Sequence, residues 1–345
     1  MNRSFLRFTA VVFAVLLSAS AVSAKGFRFS DNGKFKIMQV TDTHIRAVSN
    51  PDFSKESTDM LNRVLDAEKP DLVIFTGDVV TEKPYRKGLD FILEPVISRK
   101  IPWVVLFGNH DEEQDLSRKE MSDLIESYPY HAGKMKKLKN VTGYGNFVLE
   151  IKGHDGNKTQ ALIYCMDSRA YSDRKPVIDG YAWFAHDQVV WYRKTSEKYT
   201  SKNNNVPLPA LAFFHIPLPE YNEVTRKDRK VVGDKQENNC PPDVNSGMFL
   251  SMVEKGDVMG TFVGHDHVND YIFNYCGIAL AYGRFSGSKT TYNSPKDGAA
   301  IKNGARIIEL TEGQRGFHTW IRLDASSNVI HDVHFPEDFP APEKK

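Results

Sequence analysis

Five short segments hold the side chains that could do chemistry. They are Asp42-Thr43-His44, Gly77-Asp78, Gly108-Asn109-His110-Asp111, the isolated His215, and Gly264-His265-Asp266-His267. Each follows a run that reads as a β-strand: 35–40, 72–75, 103–107, 210–214 and 258–263. Carboxylate, amide and imidazole groups have no reason to recur where apolar strands stop unless something there satisfies them. Imidazole mixed with carboxylate suits Mn, Fe, Zn or Co and discriminates poorly among them. Asp42 and His44 lie two apart on extended chain and therefore face one side; His265 and His267 repeat that spacing.

The segments around these residues supply the scaffold. Apolar residues Met60, Leu61, Val64 and Leu65 predict a helix over 57–68 capped by Ser57 or Thr58. A second helix is expected over 89–97. A third is expected over 117–128, with Ser117 and Glu120 forming a capping box. Alternation with the first three strands gives βαβαβ, the pattern of a layered α/β sheet. Further strands are expected at 147–151 and 161–166, a long helix at 187–199 and a short one at 248–255. From residue 271 the chain reads as mostly β: 271–275, 278–282, 305–310, 317–323 and 329–335. Ligands of open α/β sheets collect at the carboxyl ends of strands, where the five segments fall.

In this order the segments resemble the calcineurin-like metallophosphoesterase superfamily: D-x-H, G-D, G-N-H-D/E, a lone H, then G-H-x-H. The intervals of 36, 31, 106 and 50 residues are of the family's kind. The resemblance covers about residues 34–310. It implies a four-layer αββα sandwich, two mixed sheets flanked by helices, and two di- or trivalent metal ions. Asp42, His44 and His267 would hold the first ion, Asn109, His215 and His265 the second, and Asp78 would bridge. Such a pair acidifies a bridging water, the hydroxide nucleophile, and clamps phosphoryl oxygens. His110 would protonate the leaving oxygen or bind the phosphoryl group. Asp111 is placed to orient His110, or is a surface acid within Asp111-Glu112-Glu113. Asp266, between two ligands, is a supporting contact or a turn residue. The implied activity is phosphomonoester hydrolysis. A phosphodiesterase or nucleotide pyrophosphatase on the same site is the alternative, and a non-catalytic relic of the fold a distant one.

Gly264-His265-Asp266-His267-Val268-Asn269-Asp270, Val244-Asn245-Ser246-Gly247 and Asp187-Gln188-Val189-Val190-Trp191-Tyr192 are similar to a purple-acid-phosphatase branch of plants and fungi that bears the label inactive. The iron-ligating Tyr of the purple enzymes, three residues after the Gly-Asp aspartate, is Thr81 here; Tyr85 lies off the motif. Two groups are candidate substrate contacts. Asn245 opens an expected helix, whose N-terminus can bind an anion or be plainly capped. Arg284 follows the strand 278–282 and could clamp a phosphate or be an ordinary surface arginine. His131, His154, His186, His318, His331 and His334 read as surface or locally bonded.

The 345 residues are 41% hydrophobic and 26% charged, an ordinary globular balance that excludes wholesale disorder. Residues 1–24 read as a signal peptide: Arg3 and Arg7, an apolar run over 10–17 too short for a comfortable span, then small residues to Ala24. Export and a periplasmic or secreted location follow. Without the leader the balance is 43 basic to 44 acidic residues, so no nucleic-acid track is evident. The remaining chain reads as one domain with a small phosphorylated substrate as partner and no membrane span. Of three cysteines, only Cys240 with Cys276 is considered as a disulfide; Cys165 reads as buried. Residues 226–239 read as a mobile loop, 200–205 as a surface loop and 336–345 as a frayed tail.

Overall fold

A computed structural model describes residues 26–288, 302–323 and 329–339; the expected leader and the last six residues lie outside these. In chain order the strands are β1 (Phe27–Arg28), β2 (Lys34–Val40), β3 (Leu72–Thr76), β4 (Trp103–Leu106), β5 (Phe147–Lys152), β6 (Thr159–Cys165) and β7 (Ala210–Phe213). They continue as β8 (Val231–Val232), β9 (Val258–Val263), β10 (Ile272–Tyr275), β11 (Ile278–Tyr282), β12 (Gly304–Thr311), β13 (Phe317–Leu323) and β14 (Val329–Phe335). The helices are α1 (Pro51–Glu68), α2 (Tyr85–Ser98), α3 (Arg118–Glu126), α4 (His186–Lys202) and α5 (Met248–Lys255).

The strands form two mixed sheets. One runs β1-β5-β6-β7-β9-β11-β10-β8, the other β14-β13-β12-β2-β3-β4. Apolar side chains of both meet in one buried cluster. Phe262 of β9, for example, packs edge-on against Phe317 of β13 with ring centroids 5.5 Å apart. A second cluster joins the outer face of the first sheet to α4 and α5 through Tyr164, Tyr192, Phe249 and Met252. This is the expected layered sandwich. Gln39 crosses between the sheets, its Nε2 donating to Val263 O at 3.0 Å and to Thr76 Oγ1 at 3.0 Å. The carboxyl ends of β2, β3 and β4 are thereby held opposite those of β7 and β9.

Local chemistry corrects several boundaries. The first helix begins at Pro51, capped by the Asn50 side chain accepting from Phe53 N, so Ser57 and Thr58 lie buried inside it. Asn50-Pro51 outweighs the apolar periodicity because the cap and the fixed φ of proline start a helix wherever they fall. Ser117 and Glu120 form the expected capping box. Residues 226–239 contain β8 and anchor Glu237, whose carboxylate accepts from Val268 N at 2.7 Å. The tail is packed as far as Phe339, which is buried against Phe335, so an apolar residue ends the fraying expected from Pro336. All three cysteines are free. Cys240 N donates to the Asp266 carboxylate, whereas Cys276 occupies the β10–β11 turn, with the length of β10 between them.

Candidate metal centre

The strand ends converge. Ligand-type atoms of Asp42, His44, Asp78 and His267 all lie within 4.8 Å of one another, and so do those of Asp78, His215 and His265. Asp78 belongs to both groups. His215 Nε2 lies 3.2 Å from Asp78 Oδ2 and 3.2 Å from Asn109 Oδ1. His267 Nε2 lies 3.4 Å from Asp42 Oδ1 and 3.2 Å from His44 Nε2. All seven residues are buried.

Two backbone features permit this density. Asp42, His44, Asp78 and His265 have φ of 54°, 45°, 51° and 80°. Side chains rarely adopt this left-handed region, which costs about 1–3 kcal/mol per residue and concentrates at functional sites. The glycines before the donors admit close neighbours. A Cβ on Gly108 would lie 2.1 Å from Asp78 Oδ1, and one on Gly264 would lie 2.6 Å from Asp42 Oδ2.

Surrounding groups aim the donors. His215 Nδ1 lies 2.7 Å from Thr76 O; a carbonyl only accepts, so Nδ1 carries hydrogen and Nε2 faces Asp78 and Asn109. Thr41 Oγ1 donates to Asp42 Oδ2 at 2.7 Å, and His110 N donates to Asp78 Oδ1 at 2.8 Å. Burial opposes charge on Asp42, yet His267 outweighs it and the carboxyl lies at about 2. Asp78 is likewise held well below the carboxylate range, against burial, by His215 and His44. Burial pushes His44 and His265 down to about 3, leaving neutral rings with bare nitrogens. His215 is raised to about 9 against burial by Asp78.

These residues fit a pair of cations. His265 Nε2 is buried without a hydrogen-bond partner. Two imidazole nitrogens meet at 3.2 Å between His44 and His267, where a proton or a cation must sit between the lone pairs. The donor set is mixed imidazole, carboxylate and amide, as dinuclear transition-metal sites use.

The other expected site residues divide. His110 lies beside the cluster, its ring 5.6 Å from that of His44 and its side chain 28% exposed. Asp111 neither orients it nor lies on the surface. Its fully buried carboxylate accepts from the backbone N–H groups of Asp78, Val79 and Gly108 at 2.8–3.0 Å and so knits the loops after β3 and β4. Burial and the neighbouring Asp78 push it above the usual carboxylate range. Glu113 takes the orienting place, its Oε2 lying 2.7 Å from His110 Nδ1. Chain-adjacent Asp111 turns inward, while the 3₁₀ turn Asp111–Glu113 brings the third residue alongside. His110 is raised because Asp78 and Glu113 outweigh burial.

Asp266 is a supporting contact: its Oδ2 accepts from Tyr282 Oη at 2.5 Å and Cys240 N at 3.1 Å, and burial raises it to about 6. Asn245 holds Glu220 and the Gly247 amide; α5 starts on Gly247 without a side-chain cap, so Asn245 is not its plain cap. Arg284 is buried, pairing with Asp270 at 2.5 Å and donating to Lys302 O, and is neither a surface residue nor directed at the cluster. Sequence reasoning missed Tyr171. Its hydroxyl accepts from Asn109 Nδ2 at 3.1 Å and donates to Glu113 Oε1 at 2.8 Å, so one chain of contacts runs from Asn109 to His110. Tyr181 stacks on Tyr171 and meets His265 edge-on, with centroids 4.3 Å apart. Nothing in the local sequence marks either tyrosine.

The sequence and the fold are similar to those of known proteins. The sequence is 32% identical to the probable inactive purple acid phosphatase 29 of Arabidopsis thaliana, over 93% of this chain and 91% of that one. It is 30% identical to the phosphatase DCR2 of Saccharomyces cerevisiae, over 93% of this chain and 59% of that one. The fold is that of a dimetal phosphatase from Danio rerio, with a TM-score of 0.57 at 12% identity over 87% of this chain and 98% of that one. A sequence model of calcineurin-like phosphoesterases matches residues 35–269, and the chain belongs to that family.

Proposed function

We propose that this chain is a phosphomonoesterase that works through two metal ions. The single observation behind this reading is the pair of donor groups sharing Asp78. Asp42, His44 and His267 would hold one ion, Asn109, His215 and His265 the other, and Asp78 both. When bound, such a pair supplies an acidified water and positive charge against the phosphoryl oxygens, with Mn, Fe and Zn all compatible. Glu113 holds His110 through Nδ1 and, with Asp78, favours its charged form. The other ring nitrogen then carries a proton for the leaving oxygen. Tyr171 fixes the Asn109 amide with Nδ2 toward its hydroxyl and Oδ1 toward His215.

The monoester reading is supported by the relatives named phosphatases and by the near-neutral charge of the chain after its leader. Among the described residues no helix is long and apolar enough to cross a membrane. We also propose export, with cleavage before Lys25; N-terminal sequencing of the cell-made protein should begin there, and a start at Met1 would overturn it. A binding role without turnover is favoured by one observation, the name inactive borne by several relatives. Against it, all seven donors and His110 are present. The test is kcat/KM for p-nitrophenyl phosphate and its bis-ester with Mn, Fe or Zn. Monoester preference is expected. A bis-ester preference of about tenfold, roughly 1.4 kcal/mol in transition-state binding, would replace the reading by a diesterase. No turnover with any metal would replace it by a binding role.

A further inference from the structure

The hairpin of β13 and β14 carries a second group of donors, on other strands than the centre above. His318 and His334 are direct cross-strand partners, and their rings stack at 4.1 Å with 4° between planes. Asp332 shares their face, two residues before His334. Its Oδ1 lies 2.5 Å from His318 Nε2. A bulge adjoins it: Thr319 opposes Val333 but Ile321 opposes Ile330, so β14 has one extra residue, and His331 takes φ 53°. Bulges re-aim side chains. The donor atoms of His318, Asp332 and His334 all lie within 4.8 Å of one another. They are partly open to solvent, and both histidines line a surface cavity of about 480 Å³.

We propose that His318, Asp332 and His334 form a binding site for a divalent transition cation of the zinc, nickel or copper class. Two imidazoles and one carboxylate on paired strands are the three-protein-ligand set of an open zinc site, with the remaining position left to water. The two rings lie parallel, so one must turn about its side-chain bonds for both nitrogens to face one ion, which their partial exposure allows. The proton now shared by His318 Nε2 and Asp332 Oδ1 is what the cation would displace, and its release makes binding weaker in acid. The site would clip β14, the edge strand of its sheet, to β13. It is separate from the catalytic reading. His318 lies level with Lys36 across β12, near the start of β2, whereas the catalytic donors follow the end of β2.

Zinc bound per full-length chain tests this by equilibrium dialysis and elemental analysis, comparing the wild type with His334→Ala and Asp332→Asn. The comparison between variants decides, so it holds whatever the occupancy of the Asp78 centre. His334→Ala should bind one zinc fewer per chain with unchanged phosphatase activity. Asp332→Asn, which keeps the side-chain shape, should bind that zinc at least about tenfold more weakly, the loss that even an outer partner of a ligand causes. Nickel should quench Trp320, whose ring centroid lies 4.5 Å from that of His318, in the wild type and not in His334→Ala. Equal zinc stoichiometry and affinity in all three proteins would overturn the proposal.

Discussion

Gly108→Ala tests whether the packing of the centre governs its chemistry. The φ of Gly108 is not in the left-handed region, so alanine suits the backbone and the effect is steric. The new Cβ would lie 2.1 Å from Asp78 Oδ1, 2.5 Å from Asp78 N and 2.7 Å from Asp78 Cγ, where ordinary contact begins at 3.4 Å. Carboxylate and methyl must separate by about 1.3 Å, the gap between those two values for Oδ1. The Asp78 amide, held on the Asp111 carboxylate at 2.9 Å, lies within this clash as well, so the loop after β3 must shift together with the side chain. Misplacement of a reacting group by about 1 Å costs about 10²-fold in rate. Overpacking costs about 1–3 kcal/mol of stability. The variant should therefore fold, bind its metals more weakly and lose about 10²-fold in kcat/KM on p-nitrophenyl phosphate. Gly156→Ala, with nothing within 4 Å of its Cβ, is the control. Wild-type kcat/KM and metal content in Gly108→Ala would refute the reasoning.

Glu113→Gln should keep both metals but lower the rate and move the alkaline limb of the pH–rate profile, where the general acid His110 loses its proton, to lower pH, since the carboxylate that favours charged His110 is gone; an unmoved profile counts against the pairing. Iron-loaded protein should lack a strong visible tyrosinate band, because Thr81 replaces the ligating Tyr and the buried Tyr85 hydroxyl points to Asp111 Oδ1 at 3.4 Å; a purple preparation would bring another tyrosine, Tyr171 first, to the metal. Burial pushes His131 from 6.5 down to about 4, so the folded state prefers its neutral form. That stability is complete above pH 6.5, falls as pH drops, and is lost by about pH 4, at up to about 3 kcal/mol. Denaturant unfolding of His131→Phe across this window should show a shallower pH dependence than the wild type; parallel curves would exclude the effect.

The donors were legible because each ends an apolar run, and such runs fix both a strand and the end at which its next residues emerge. Thr41-Asp42 and Val263-Gly264 show this directly, from β2 and β9. The capping box of α3 was legible because its partners lie three residues apart in the chain. What stayed hidden depends on contacts between distant segments or on chain reversal. Asp111 follows His110, yet its carboxylate turns back to three amides from the loops after β3 and β4. Tyr171 reaches Asn109 from 62 residues away. Asp270 captures Arg284 inside the protein, which no spacing announces. Phe339 is one aromatic in a charged tail, and only the apolar surface left beside Phe335 explains its burial.

Asp78 is the one residue common to both donor groups, so metal content of its variant is the most direct test of the centre. Full-length wild type, Asp78→Asn and His265→Ala would be loaded with Mn, which the site on β13 and β14 is not proposed to take, freed of excess metal and measured by elemental analysis. Two ions are predicted in the wild type. His265→Ala should keep the ion on Asp42, His44 and His267 and lose the other. Asp78→Asn should lose occupancy at both positions, because a shared carboxylate serves both ions. Two full equivalents in Asp78→Asn would contradict a centre built on this residue.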